Sequence, residues 1–351
     1  MSAIDALWAP LVEHGSEWCA PNIHADAQWL TVGDTRWRTA LTRRAPRNSY
    51  VVSATGQYLD YALEETRRLA AAPRLFSRAI LGAIAPMLRA LDPILVLDTL
   101  PVSTVLRPAR TQATWAGALQ SARAAYPGVP ILVRSLDHAT SAVSIAHLEA
   151  LGLDLLPSRL VFYQDAAREG FWRHRNLRHD LALVQRHPLQ VRPLVNEDVR
   201  RIADLYWILY GERYSTLDPR FSPAWLAYGM AAGVLRGEGI VPDGHLAAAY
   251  LSYSTGPVMT NPVFGHDTSL PRTVGLYRRL SLMALQRAAR EGLVLHASSG
   301  APAFKATRGG VPTVEYHAID LRGIDGMQGT AWRAAVRIAR RIGPALLRGA
   351  T

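Results

Sequence analysis

The chain is poor in the residues that make crosslinks and metal clusters. Cys19 is its one cysteine, so no disulfide can close within the chain and a cysteine metal cluster is excluded. No apolar run reaches the roughly 20 residues that a membrane-spanning helix needs. The opening residues, among them Asp5, Trp8, Pro10 and Glu13, lack the basic start and apolar stretch of a signal peptide, which predicts a cytoplasmic protein. No Ser-His-Asp arrangement, zinc spacing, phosphate-binding loop or dinucleotide glycine fingerprint is visible. Hydrolase, metal and nucleotide-kinase readings are therefore set aside, and no metal is expected. Lysine is as scarce as cysteine: Lys305 stands alone, and the rest of the 39 basic residues are arginine.

Such a bias fits a GC-rich genome, where lysine codons are rare. A lysine kept against it is a candidate for work that arginine cannot do, because an ammonium shifts its pKa on burial and a guanidinium stays charged. One surviving surface lysine would read the same from composition alone. The net charge of +11 carries a second message. Codon bias exchanges lysine for arginine without changing net charge. The excess over Asp and Glu therefore points to a polyanionic partner: nucleic acid, an anionic membrane or a phosphorylated small molecule.

At 351 residues with 49% hydrophobic composition, the chain is long enough for two globular domains. It reads as two α/β halves with a similar order of elements. In the first, strands are expected at Trp29–Val32, Ser49–Ala54, Ile94–Leu97, Ile131–Ser135 and Ser158–Tyr163. Helices are expected over 57–69, 74–91, 114–126 and 144–151. After a basic connector, the second half predicts a strand at Gln190–Leu194 and a helix capped by Asn196. A helix from Ser222-Pro223 follows, then strands at His245–Tyr253 and Pro257–Phe264. A helix over 274–291, a strand at Leu293–Ala297, a short helix near Pro302–Thr307 and a last strand at Thr313–Ile319 complete it. Each half ends in strand, helix, strand, short helix, strand, as a degenerate duplication would. Beyond Gly329, Trp332, Val336, Ala339 and Ile342 share one helical face. Arg333, Arg337, Arg340, Arg341 and Arg348 line much of the other, an amphipathic tail for its own protein, RNA or a membrane surface.

That ending resembles the GNAT acyltransferase fold, best over 190–322. The run Phe304-Lys305-Ala306-Thr307-Arg308-Gly309-Gly310, followed by a strand, resembles the Fem-type branch more closely. Fem-type proteins look like two GNAT domains in tandem and take aminoacyl-tRNA as donor. The resemblance implies two tandem GNAT-like domains, each a mixed sheet flanked by helices. They would span 1–185 and 190–324, with a basic tail helix over 325–351. Acetyl-CoA-using GNAT enzymes place a glycine-rich loop before the long helix to hold the CoA pyrophosphate on backbone N–H groups. Here Ser269 to Tyr277 keeps only Arg272 and Gly275 of that pattern, and Arg107 to Gln112 does no better. No tightly bound cofactor is expected. The co-substrate implied is aminoacyl-tRNA, with acyl-CoA as the alternative. No long helical arm like that of cell-wall Fem enzymes is visible, which moves the expected acceptor from peptidoglycan toward a small molecule of specialised metabolism.

Acyl transfer to an amine needs a neutral amine, a stabilised oxyanion and a proton for the leaving group. Lys305 could supply positive charge to the tetrahedral intermediate or to the donor's terminal phosphate; in Fem-type proteins the matching lysine is assigned to that region, and the resemblance carries the role to Lys305 alone. Glu315 could accept the amine's proton and Tyr316, on the other face of the last strand, could protonate the leaving group. Substrate contacts are expected from Phe304, His296, Ser298, Ser299, Thr260, Asn261 and Arg308, with His266 near the acceptor entrance. Arg272, Thr273 and Arg278 would meet donor phosphate at the start of the long helix. Arg168, Arg173, Arg175 and Arg178, interleaved with Phe171 and Trp172, and the tail's Arg337, Arg340 and Arg341 would grip tRNA. A solvated charge run and core aromatics are the plainer reading. No DNA partner is expected. A basic RNA- or membrane-binding protein without catalysis is the remaining alternative.

Overall fold

The computed structural model describes residues 3–68 and 70–348. Leu69 and the side chains of Ile342 and Arg348 lie outside the described part. The strands are β1 (Ala25–Val32), β2 (Thr35–Thr42), β3 (Leu95–Leu97), β4 (Ile131–Asp137), β5 (Asp154–Gln164) and β6 (Val191–Pro193). They continue with β7 (Arg236–Ile240), β8 (Ala248–Thr255), β9 (Val258–His266), β10 (Val294–His296) and β11 (Val311–Asp320). The helices are α1 (Ala9–His14), α2 (Ser16–Cys19), α3 (Ala62–Glu65), α4 (Ala71–Arg89), α5 (Gln112–Ala125) and α6 (Ala142–Ala150). After them come α7 (Arg175–Arg186), α8 (Val199–Trp207), α9 (Pro223–Ala231), α10 (Leu276–Arg290), α11 (Pro302–Ala306) and α12 (Gly326–Arg348).

All these strands join one mixed sheet in the order β1-β2-β3-β4-β11-β5-β10-β9-β8-β7-β6. Its centre is an exchange. β5, the last strand of the first half, lies antiparallel to β10 of the second, and β11 lies antiparallel to β4 of the first. β5 and β11 run antiparallel beside each other. Each half thus completes its sheet with the other's final strand. The boundary expected at 185–190 follows α7, while the hydrogen-bonded sheet continues across both halves.

Alternation along the strands builds the cores. Leu95, Leu97, Ile131 and Val133 face α5 and α6 on one side. Tyr250, Met259 and Leu295 face Leu280, Ala284 and Ala288 of α10. Between them, Val96, Leu132, Ile319, Ala249, Leu251 and Val263 face a core that spans both halves. α8 sits so close to β9 that a Cβ at Gly265 would lie 2.4 Å from the Leu205 backbone.

Several expectations need correction. Ser49–Ala54 is a turn leading into helix, because Asp92 accepts the N–H groups of Ala54 (3.0 Å) and Thr55 (3.1 Å) and the Ser53 hydroxyl. Its alternating apolar residues bury without joining the sheet. β2 went unseen because Arg36 and Arg38 interrupt it, and β7 because it holds two glycines. The segment read as a connector after Tyr163 contains α7. Asn196 does not cap α8; Asp198 accepts the Val195 N–H at 2.9 Å and a bidentate bond from Arg192.

α12 packs on its own protein. Ala331, Trp332 and Val336 are buried, and the indole N–H of Trp332 donates to Leu91 O at 2.9 Å. Arg340 pairs with Asp154 at 2.9 Å across a half-exposed surface. Surface pairs of this kind contribute about 0–1 kcal/mol. Arg340→Ala should therefore shift the urea unfolding free energy by no more than that. No helix among the described residues is long and apolar enough to cross a membrane.

Candidate active site

Lys305 lies on α11, a five-residue helix between β10 and β11, and is 8% exposed. The turn before it places Ser298 at φ 56°, Gly300 at 81° and Ala301 at 47°. This turns two carbonyls toward the amine: Nζ donates to Ser299 O at 2.6 Å and to Ser298 O at 3.2 Å. The Phe162 ring lies 5.7 Å away. Burial, reinforced by the Arg159 charge, pulls the ammonium from its usual value near 10.5 down to about 7. No carboxylate pairs with it among the described residues.

Arg159, on β5, is the charge that acts on the Lys305 ammonium. Its Nε donates to Glu315 Oε1 at 2.8 Å and its Nη2 to Oε2 at 3.0 Å. Nη2 also reaches Ser103 O at 2.7 Å and Thr104 Oγ1 at 3.1 Å. The exchange of β5 and β11 makes this pair possible, since Arg159 and Glu315 are register partners across that seam. His296 is buried, and its Nδ1 accepts the Ser298 N–H at 3.0 Å. Burial next to Arg159 and Lys305 drops its pKa to about 3, so the ring is neutral with its proton on Nε2.

A second group of ionisable residues is buried nearby. Asp218 accepts the Tyr50 hydroxyl at 3.0 Å, and desolvation pushes its carboxyl up to about 7. Tyr206 and Tyr210 lie within electrostatic reach of it, and Tyr61 within reach of all three tyrosines. Two irregular turns supply part of this cage: π-helical segments at Gly56–Tyr61 and Ile208–Glu212 carry Tyr61 and Tyr210. Such turns recur at functional sites. Arg159 is felt by both Asp218 and Lys305, and Tyr277 joins Tyr210 to Phe304, whose ring it meets at 4.8 Å. The aromatic lining therefore connects the carboxylate to the lysine helix.

No family model and no curated protein matches the sequence. Solved structures do resemble it. The structure of L-PGS from Bacillus licheniformis superimposes with a TM-score of 0.53 at 11% identity, covering 94% of this chain and 95% of that one. FemX gives 0.45 at 11% identity over 90% of this chain and 96% of its own. A tandem GNAT protein from the clavulanic acid biosynthesis pathway gives 0.38 at 15% identity over 76% and 94%. Strand, long helix, strand, short helix, strand occurs twice in the sheet described above. The chain has a tandem GNAT fold.

The fold brings some of the expected site residues together and separates others. Lys305, Glu315, His296, Ser298 and Ser299 converge. Both oxygens of Glu315 are held by Arg159, so it positions that guanidinium and is not a free base; His296 has its acceptor nitrogen occupied. Tyr316 does not join them. It packs beside His138, 5.6 Å between rings, on the face covered by α5 and α6, because the strand alternates there. Thr260 is buried and donates to His296 O at 3.0 Å, holding β10 in place. Asn261 Oδ1 and His266 Nδ1 are buried without a partner on β9.

A basic shell adjoins the lysine. Arg308 stacks over Phe304 at 3.6 Å, and Asp180 of α7 accepts from Arg308 Nε at 2.6 Å and Arg278 Nε at 2.5 Å. Arg278 is thus engaged, while Arg272 and Thr273 are exposed. Gly309, at φ 78°, leaves no room for a side chain: a Cβ would sit 2.7 Å from Phe171 and 2.9 Å from His174. The segment bearing the basic cluster therefore lies directly on the turn that follows Lys305. Arg168, Arg173, Arg175 and Arg178 are exposed there. Phe171 is buried, and Trp172 is half-buried with its indole donating to Ala166 O at 2.9 Å. The aromatic half of the expected tRNA grip is core instead. On the tail, Arg337 and Arg341 are exposed and Arg340 is paired.

Proposed function

We propose that the chain is an aminoacyltransferase that moves an amino acid from aminoacyl-tRNA to an amine or hydroxyl of a small molecule, forming an amide or ester. The observation that carries this reading is Lys305: a lone lysine, buried, poised near pH 7 and hydrogen-bonded to two carbonyls. Near neutrality it exists in both protonation states. As a neutral amine it takes a proton from the attacking ammonium, and as an ammonium it gives one to the departing ribose oxygen. Arg159, fixed by Glu315, supplies a permanent positive charge toward the developing oxyanion. Asp218, with negative charge added by Glu64 and Glu65, would receive the α-ammonium of the aminoacyl group. The exposed arginines at 168–178 would guide the acceptor stem to the lysine turn. The fold likeness to L-PGS agrees with this chemistry.

Filter binding of tRNA tests the donor. Affinity should fall steeply with salt, with a slope of roughly 0.7–0.9 per neutralised phosphate. Arg173→Glu, Arg175→Glu and Arg178→Glu together should cost about ten-fold or more and flatten that slope. Salt-independent binding, or no binding, removes tRNA as donor. Exposed Arg272 and Thr273 at the start of α10 favour an acyl-CoA donor as the second reading. Against it, Leu183 of α7 lies against Gly275 at that helix start. A thermal-shift comparison of CoA thioesters with charged tRNA separates the two.

A further inference from the structure

A membrane surface was one of three contacts expected of the tail, with its own protein and RNA, and its Trp332 and Val336 are buried in the protein. The opposite holds for α4. This 19-residue helix, about 28 Å long, packs Leu81, Ile84, Ala85 and Leu88 inward. It turns other large apolar side chains outward: Leu75 and Phe76 are each 69% exposed and Ile80 46%. Ala79 and Ala83 are exposed between and beyond them. At 100° per residue these five positions fall within one arc of the helix. Arg74, Arg78 and Arg89, separated by four and eleven residues, run along one edge and are exposed. α4 contains no acidic residue. Neither Arg74 nor Arg78 pairs with a carboxylate among the described residues. α12 packs beside α4 and exposes Arg333, Arg337 and Arg341.

We propose that α4 docks this protein on an anionic lipid bilayer, with Leu75, Phe76 and Ile80 entering the headgroup boundary and Arg74, Arg78 and Arg89 meeting lipid phosphates. Large apolar side chains are not left in water on a helix at this density without a cost in solubility. An interfacial helix buries such a stripe while its basic flank is drawn to negative headgroups. Charge selects the occupant. An arginine edge on a chain of net charge +11 repels a second copy and attracts an anionic surface. Docking would hold the catalytic protein at the membrane whichever donor it uses.

Flotation of the purified chain with vesicles tests this. With phosphatidylcholine alone the protein should stay at the bottom of the gradient. With phosphatidylcholine and phosphatidylglycerol mixed it should float, and added salt should reduce the floated fraction. Arg74→Gln and Arg78→Gln should each lower the partition coefficient about five-fold. Leu75→Ser with Phe76→Ser should abolish flotation while leaving the circular dichroism unchanged, since both side chains are in solvent. Lys305→Met should float like the unaltered protein, which separates this test from the transfer chemistry. No flotation with anionic vesicles overturns the proposal, as does unchanged flotation of the serine variant. A dimer in light scattering that the serine variant dissociates would assign the stripe to a second copy and overturn it as well.

Discussion

Replacing Lys305 by methionine should abolish transfer and stabilise the protein. Methionine keeps the length and the contact with Phe162 and removes the proton carrier. Loss of a proton-transfer group costs about 10²–10⁴-fold in rate. Lys305→Arg should be nearly as inactive, because a guanidinium keeps its charge and gives no proton near pH 7. The stability gain follows from burial. The unfolded chain's lysine binds its proton up to about pH 10.5, while the folded one releases it at about 7. Between those values the unfolded state binds more protons, so stability rises with pH, and below 7 the full penalty is felt. At neutral pH the methionine variant should be more stable by on the order of 2–4 kcal/mol. The difference between the two proteins should shrink toward pH 10. Urea titrations at several pH values measure it, and a single-turnover assay measures the rate. Arginine at full activity would remove the proton role, and a methionine variant less stable at pH 7 would contradict the buried ammonium.

How much of this was written in the sequence depends on which residues signal and which are read only in three dimensions. The long periodic helices and apolar strands of the two halves are legible because alternation and the 3.6-residue period are local properties. The exchange of β5 and β11 is not local. Nothing along Asp154–Gln164 says that its neighbours will come from residues near 295 and 315. Lys305 was found by rarity and by its Phe-Lys and Gly-Gly surroundings. Arg159 was missed, although an arginine inside the largely apolar run Leu155–Tyr163 is a legible anomaly. It forms the pair that occupies Glu315 and so changes that residue's role. Tyr316 lies on the other face from Glu315, as expected, but that face is packed against α5 and α6 and does not meet the lysine. Phe171 and Trp172 failed because aromatic residues beside arginines are more often buried than stacked on bases.

The tyrosines gave a signal that went unread. Thirteen tyrosines against six phenylalanines is an excess of hydroxylated rings in a chain rich in apolar residues. Three of the thirteen, Tyr50, Tyr206 and Tyr210, lie within electrostatic reach of Asp218, and Tyr61 packs on Tyr50. A carboxylate among rings is a site for an organic cation, since both the charge and the ring faces favour it. Burial there pushes the carboxyl up to about 7. The lysine and the aspartate are thus two groups that folding would discard and that chemistry would keep.

Asp218→Asn should then separate recognition from folding. The amide keeps the shape and the bond to Tyr50 and loses the charge. A hydrogen bond to a charged group contributes about 1.5–3 kcal/mol, so transfer from a donor with a free α-ammonium should fall about 10–100-fold in kcat/KM. Transfer from the N-acetylaminoacyl form of the same donor should be slow in both proteins and unchanged by the substitution. The affinity for uncharged tRNA should not move, because the arginines at 168–178 bear that contact. The pH dependence has the opposite slope to that of the lysine. The folded carboxyl keeps its proton to about 7, whereas the unfolded one loses it in the ordinary carboxylate range, so stability contributed by Asp218 declines across that interval as pH rises. The asparagine variant lacks that decline and should be the more stable protein at pH 8. Equal loss with both donors would make Asp218 a support for the fold's interior and not the seat of the ammonium. Unchanged transfer from the free-amine donor would place amine recognition elsewhere in the cleft.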